Sequence, residues 1–71
     1  MFRLRINELM HARHLNANQL SKLAGVRYPT ILDMADNKSK AWSPENLEKI
    51  AIALGVEEVG ELIEYVKEQE V

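Results

Sequence analysis

The chain has 71 residues, enough for one domain, and it contains no cysteine, which excludes a disulfide framework and a thiolate metal site. The formal net charge is −2, but it is unevenly distributed. Residues 1–40 hold seven Lys and Arg against three acids, whereas residues 41–71 hold two lysines against eight glutamates. The first part of the chain therefore carries the local field that attracts a polyanion.

The first residues predict a strand followed by a helix. Phe2, Leu4 and Ile6 alternate with two arginines, which is the period of a β-strand. From Ile6 onwards the apolar spacing changes to that of a helix. We expect this first helix to end near His14 or Leu15.

The next segment has the layout of a helix, a tight turn and another helix. Asn16 is a favourable N-cap for a second helix over 17–24. Gly25 follows, where the backbone must be left-handed and glycine adopts that conformation without steric cost. Pro29 disfavours helical geometry at the residue before it, so the third helix is predicted to begin at Pro29 and to end near Asn37. The inward-facing residues of this motif are predicted to be Leu20, Ser21, Ala24, Val26, Ile31 and Met34.

A fourth helix is predicted to start after Ser43, which is a good cap and is followed by proline and an acid. Gly55 ends this helix. A fifth helix is expected to begin near Glu57 or Glu58. Its inward-facing residues would be Val59, Leu62 and Ile63.

The end of the chain, LIEYVKEQEV, allows two structures. It could continue the fifth helix, or residues 63–66 could be extended and pair with the first strand. A short apolar run cannot be assigned from its period alone. We favour the strand, which would protect two edges and bring Glu64 or Glu68 near Arg3 or Arg5.

The pattern between about Leu9 and Leu62 resembles the Cro and phage-repressor helix-turn-helix family of bacterial DNA-binding proteins. The resemblance implies an all-α, compact five-helix lambda-repressor-like domain, to which the short strand pairing would be an addition. Residues 1–71 would form this single domain, with the motif at about 17–36. It also implies a homodimer whose third helix enters the major groove of double-stranded DNA. The residues that carry it are Leu15, Asn16, Leu20, Ala24, Gly25, Val26, Thr30, Ile31, Leu47, Ile50, Ala51, Ala53, Leu54, Gly55 and Val56.

Three residues at the start and on the outward face of the third helix are candidates for base contacts. Arg27 can bind guanine O6 and N7 with two hydrogen bonds, or it can bind a phosphate. Tyr28 offers a hydroxyl group and a flat ring. Asp33 lies where relatives often carry glutamine or arginine, and it can accept a hydrogen bond from cytosine N4. Asp36 is also predicted to face outward, and it is at least as well explained as an ordinary surface residue.

A second set of residues comprises candidates for contacts to the DNA backbone. The resemblance implies that the loop after the third helix touches the sugar-phosphate chain, and such contacts set the position of the protein rather than its sequence preference. Asn18 lies near the positive end of the dipole of the second helix, where it could contact a phosphate. The candidates are Asn18, Thr30, Asn37, Lys38 and Lys40.

The chain departs from the family pattern at two linked positions. Relatives often carry a partly buried arginine on the first helix and a glutamate late in the third, and these positions correspond to Met10 and Ala35 here. Losing one partner strands a buried charge, whereas losing both can be neutral or favourable. The serine that usually caps the third helix is also replaced, by Arg27.

The sequence gives little support for catalysis. His11 and His14 are three residues apart, but no third metal ligand lies at a suitable position, and the serines have no adjacent base. We expect no enzyme activity, cofactor, metal or small-molecule ligand. The opening MFRLRI is too short and charged for a signal peptide, and no apolar run reaches membrane-spanning length, so a cytoplasmic location is expected.

Two functions remain in competition. The first is a sequence-specific DNA-binding transcriptional regulator. The second is a protein-interaction module on the same fold, antitoxin-like or a phage adaptor. In the second, the glutamate-rich half or the two outward acids, Asp33 and Asp36, would contact a basic protein surface.

Overall fold

A computed structural model describes residues 1–39 and 41–67. Within them the chain forms four α-helices and a two-stranded sheet, so the prediction of a small, mostly helical domain is confirmed and the count of five helices is wrong. The elements in chain order are β1 (Phe2–Leu4), α1 (Ile6–Ala12), α2 (Ala17–Ala24), α3 (Tyr28–Ala35), α4 (Pro44–Leu54), a 3₁₀ turn (Val59–Glu61) and β2 (Ile63–Tyr65).

The segment predicted as a fifth helix forms the 3₁₀ turn and then β2. β2 pairs antiparallel with β1, with Arg3 opposite Glu64, and their side chains form an ion pair at 3.0 Å. Leu62 is buried as predicted, whereas Val59 is 70% exposed. Pairing is favoured over a helix because it satisfies backbone groups of both terminal segments. The alternative contact through Glu68 lies outside the described residues.

Helix α1 is shorter than predicted and ends at Ala12. The chain then turns at His14, whose φ of 55° is in the left-handed region. The Leu15 N–H donates to the Met10 carbonyl at 2.9 Å, which closes the turn. This capping arrangement explains why the apolar pattern continues past the last helical residue.

The helix ends predicted from capping residues are confirmed. The Asn16 side chain accepts from the Gln19 N–H at 2.7 Å, and the Gln19 side chain accepts from the Asn16 N–H at 2.9 Å. This reciprocal pair satisfies two donors at the start of α2. Ser43 caps α4. Gly25 and Gly55 end α2 and α4 with φ of 69° and 68°.

Buried apolar residues pack the two helices of the helix-turn-helix, α2 and α3, against the rest of the domain. Helix α2 packs against both α3 and α4, and the inward residues predicted for the α2–α3 motif include buried Leu20, Val26, Ile31 and Met34. No polar or charged residue is buried in the part of the chain that the structure describes. The remaining buried residues are Leu4, Ile6, Met10, Ala35, Ile50, Leu54 and Leu62.

Two leucines on α2 give a matched test of this core. Leu20 is fully buried, and Leu23 is 62% exposed. We expect Leu20→Ala to lower the free energy of unfolding by about 2–5 kcal/mol, because it leaves a cavity. Leu23→Ala should change it by no more than about 0.5 kcal/mol. Urea unfolding followed by circular dichroism measures both, and equal losses would contradict the packing described here.

Candidate nucleic-acid interface

Helix α3 starts one residue earlier than predicted, at Tyr28 rather than Pro29. The Ile31 N–H donates to the Arg27 carbonyl at 3.0 Å, and this bond closes a helical turn around Tyr28. Pro29 is accommodated in that first turn because its missing N–H would have no partner within the helix. The side chain of Arg27 caps nothing and is exposed.

The outward face of α3 is accessible along its length. Ile31, Met34 and Ala35 turn inward and are buried. Every residue predicted to point outward is exposed, and so is Leu32 at the flank. These exposed residues are Pro29, Leu32, Asp33 and Asp36. Arg27 and Tyr28 are exposed at the leading end, so all three candidates for base contacts are accessible.

The end of α3 is fixed by two backbone hydrogen bonds. Asn37 has a φ of 56°, and its N–H donates to the Met34 carbonyl at 3.1 Å. The Lys38 N–H donates to the Asp33 carbonyl at 2.9 Å. These bonds form a Schellman motif with asparagine in the left-handed position. They attach Lys38, whose side chain is exposed, directly to the end of α3.

The side chain of Asn37 is engaged in a contact that the sequence did not reveal. Its Oδ1 accepts from the Leu4 N–H at 2.7 Å, and its Nδ2 donates to the Leu4 carbonyl at 3.1 Å. The amide thus pairs with the outer edge of β1 and connects it to the end of α3. The predicted phosphate contact would have to use the remaining hydrogen on Nδ2, because the Asn37 backbone N–H already donates to the Met34 carbonyl.

The other residues predicted to contact the DNA backbone lie on both helices of the motif. Asn18 is exposed in the first turn of α2, and Thr30 is half-buried in the first turn of α3. Because α2 packs against α3, both residues belong to one packed unit. Lys40 lies outside the described residues.

Helix α1 supports α3 through packing and one hydrogen bond. Met10 and Ala35, which the resemblance assigns to the family's ion-pair positions, are both buried. Beside them the Asn7 Nδ2 donates to the Ala35 carbonyl at 3.1 Å. Sequence analysis missed Asn7, although its spacing of three from Met10 places the two residues on the same side of α1.

The cations of residues 1–40 divide into two groups. Arg3 and Arg5 form ion pairs with Glu8 or Glu64 on the sheet and the start of α1. The other cations of this part that the structure describes have no ion-pair partner within 4 Å among the described residues. They are Arg13, Lys22, Arg27 and Lys38, all exposed, and the last two flank α3.

Residues 1–39 and 41–67 bear on two further expectations, those about a metal site and a membrane span. His11 and His14 are both exposed, and no group of three potential metal-ligating side chains comes together there. No helix in this part of the chain is long and apolar enough to cross a membrane.

Comparison with known families gives a match over most of the chain. A family model described as a Cro/C1-type HTH DNA-binding domain matches residues 5–68. The match spans all four helices and β2. No curated protein and no solved structure gives a significant match.

Proposed function

The chain belongs to the Cro/C1-type helix-turn-helix family of DNA-binding domains, and on this premise we propose that it is a transcriptional regulator that binds a specific operator. The observation that carries the proposal is α3, whose inward side is buried while its outward side and both ends are exposed. A helix with one accessible face of this kind fits the major groove, which is about 12 Å wide.

Each end of α3 has its own role in this proposal. Arg27 and Tyr28 contact base edges at the leading end, and Asp33 accepts from cytosine N4 further along. Lys38 contacts a phosphate beyond the last turn. The same role is proposed for Lys40, Asn18, Thr30 and Asn37. Arg27 and Lys38 are exposed and form no ion pair within the described residues, which supports the assignments of these two residues.

The regulator is further proposed to bind as a cytoplasmic homodimer, without cofactor or catalytic activity. Two copies would present their α3 helices to major-groove segments one helical turn apart, about 34 Å. Apolar surface on the sheet supports self-association, since Phe2 and Tyr65 are exposed and line a groove of about 390 Å³ together with Trp42 and Val59. Chains of this size also have little core of their own.

Selection from random duplexes tests the proposal directly. We expect the protein to enrich a palindrome whose half-sites are about 10 base pairs apart. Its affinity for random duplex DNA should fall steeply with added salt, because bound cations release counterions from the phosphates. Recovery of no shared sequence, together with weak binding that does not respond to salt, would reject the proposal.

Lys38 gives a specific prediction for the backbone contacts. We expect Lys38→Ala to weaken binding to all duplexes and to reduce the slope of log affinity against log salt by about one unit. Lys49→Ala is the matched control, because Lys49 is an exposed lysine of α4 that pairs with Glu45 at 3.4 Å. The control should leave the slope unchanged. Fluorescence anisotropy over a range of salt concentrations gives both slopes.

A second function is favoured by one observation, the two exposed carboxylates on the outward face of α3. Asp33 and Asp36 would lie near phosphates in a DNA complex, whereas a basic protein surface would attract them. In that case the domain would be a protein-interaction module, antitoxin-like or a phage adaptor. Replacing both aspartates with asparagine separates the two functions. The change should strengthen non-specific DNA binding by a regulator and weaken the contact made by an interaction module.

A further inference from the structure

We propose that α3 binds a pyrimidine C5-methyl group in the major groove through an apolar row formed by Tyr28 and Leu32. This inference rests on the proposed DNA binding and adds a preference for a particular chemical group. It assigns a role to Leu32, which is neither part of the core nor able to form a side-chain hydrogen bond.

The row is visible in the exposure of α3. Tyr28 is 44% exposed and Leu32 is 36% exposed, although the buried stripe of the helix runs through Ile31 and Met34. Residues four apart on a helix are neighbours, with about 5–6 Å between their Cβ atoms. Pro29 is exposed beside them. The leading half of the outward face is therefore an apolar surface on a helix whose inward side already fills the core.

The chemistry of the major groove identifies what such a surface can contact. Base edges there offer hydrogen-bond donors and acceptors, and the one apolar group among the four standard bases is the thymine C5-methyl. The outward face of α3 carries no asparagine or glutamine for the paired hydrogen bonds that adenine accepts and donates. Burying a methyl group against Tyr28 and Leu32 removes apolar surface of both partners from water.

The same methyl group has two sources, thymine and 5-methylcytosine. They differ beside the methyl, because thymine has the acceptor O4 whereas 5-methylcytosine keeps the N4 donor. Asp33 follows Leu32 in the sequence, and its carboxylate can only accept. If the carboxylate contacts the same base, 5-methylcytosine is favoured, because its N4 can donate to the carboxylate. If the carboxylate contacts a neighbouring base, thymine can supply the methyl group that contacts Tyr28 and Leu32.

The test uses the duplex most enriched in the random selection. It is resynthesised with deoxyuridine at each thymidine in turn, which removes one methyl, and with 5-methyldeoxycytidine at each deoxycytidine in turn, which adds one. At one or more positions of each half-site we expect the methylated form to bind about fourfold more tightly, the ratio that burying one methyl-sized group gives. A thymidine position identifies thymine as the source, and a deoxycytidine position identifies 5-methylcytosine.

Variants show whether the effect belongs to the proposed row. In Leu32→Ala the preference for the methylated duplex at that position should fall well below fourfold, because only Tyr28 of the row remains. Leu23→Ala, which removes an exposed leucine of α2, should keep the fourfold difference. No methyl dependence anywhere, or the same dependence in Leu32→Ala, would overturn this inference while leaving the regulator proposal intact. Failure to enrich any duplex, together with weak binding that does not respond to salt, would overturn both.

Discussion

Met10→Arg alone is expected to lower the free energy of unfolding by about 3–5 kcal/mol, because it places a charge without a partner in a buried position. Met10 lies on α1, which packs against α3, and no charged residue is buried in the described part of the chain. Ala35→Glu alone should cost a similar amount. The double variant should recover part of the loss, because each new charge supplies the partner of the other. Urea unfolding at neutral pH measures all three values.

The control for these three variants is Met10→Leu, which keeps the site apolar and nearly conserves volume. It should lower the free energy of unfolding by less than about 1.5 kcal/mol. A domain of this length has a total stability of only about 4–10 kcal/mol, so the single charged variants should be close to unfolding at 37 °C. If the two single losses simply add in the double variant, the positions do not face each other. The family's ion pair would then have no counterpart at Met10 and Ala35.

Local chemistry explains why most helix boundaries could be predicted. Asn16 and Ser43 each cap a helix with their own side chain, and Gly25 supplies a left-handed turn that needs no distant partner. These features depend on residues within a few positions of one another. The end of the chain is different, because β2 forms against β1, and the Arg3–Glu64 pair joins residues far apart in the sequence. The segment 62–66 is short and mainly apolar, and its sequence alone does not specify which partner it will pair with.

The same distinction applies to the candidate site. The helical period correctly predicts that Asp33 and Asp36 point outward, since it needs only the positions of the buried residues on α3. It does not predict the role of Asn37, whose side chain bonds to Leu4 across a separation of 33 residues. Nor does it reveal the Asn7 contact to α3. The sequence therefore predicts which residues of α3 are exposed better than it predicts the contacts that hold the helix in place.

Arg27→Ala is expected to reduce affinity for the selected operator by about 1–3 kcal/mol and to relax the base preference at one position of each half-site. Arg27 precedes α3, its side chain caps nothing, and it is exposed. Its guanidinium group can donate two parallel hydrogen bonds to guanine, and lysine cannot reproduce that geometry. Competition binding of the operator against single-base variants of it measures both affinity and preference.

Two further variants separate a base contact from a phosphate contact. Arg27→Lys keeps the charge but loses the paired donors, so it should relax the base preference as Arg27→Ala does, while it retains the salt dependence. Arg13→Ala removes an exposed arginine beyond the end of α1 and should leave the preference unchanged. If Arg27→Ala instead weakens all duplexes equally and Arg27→Lys restores the loss, Arg27 binds phosphate. Base recognition by α3 would then depend on the side chains further along its outward face.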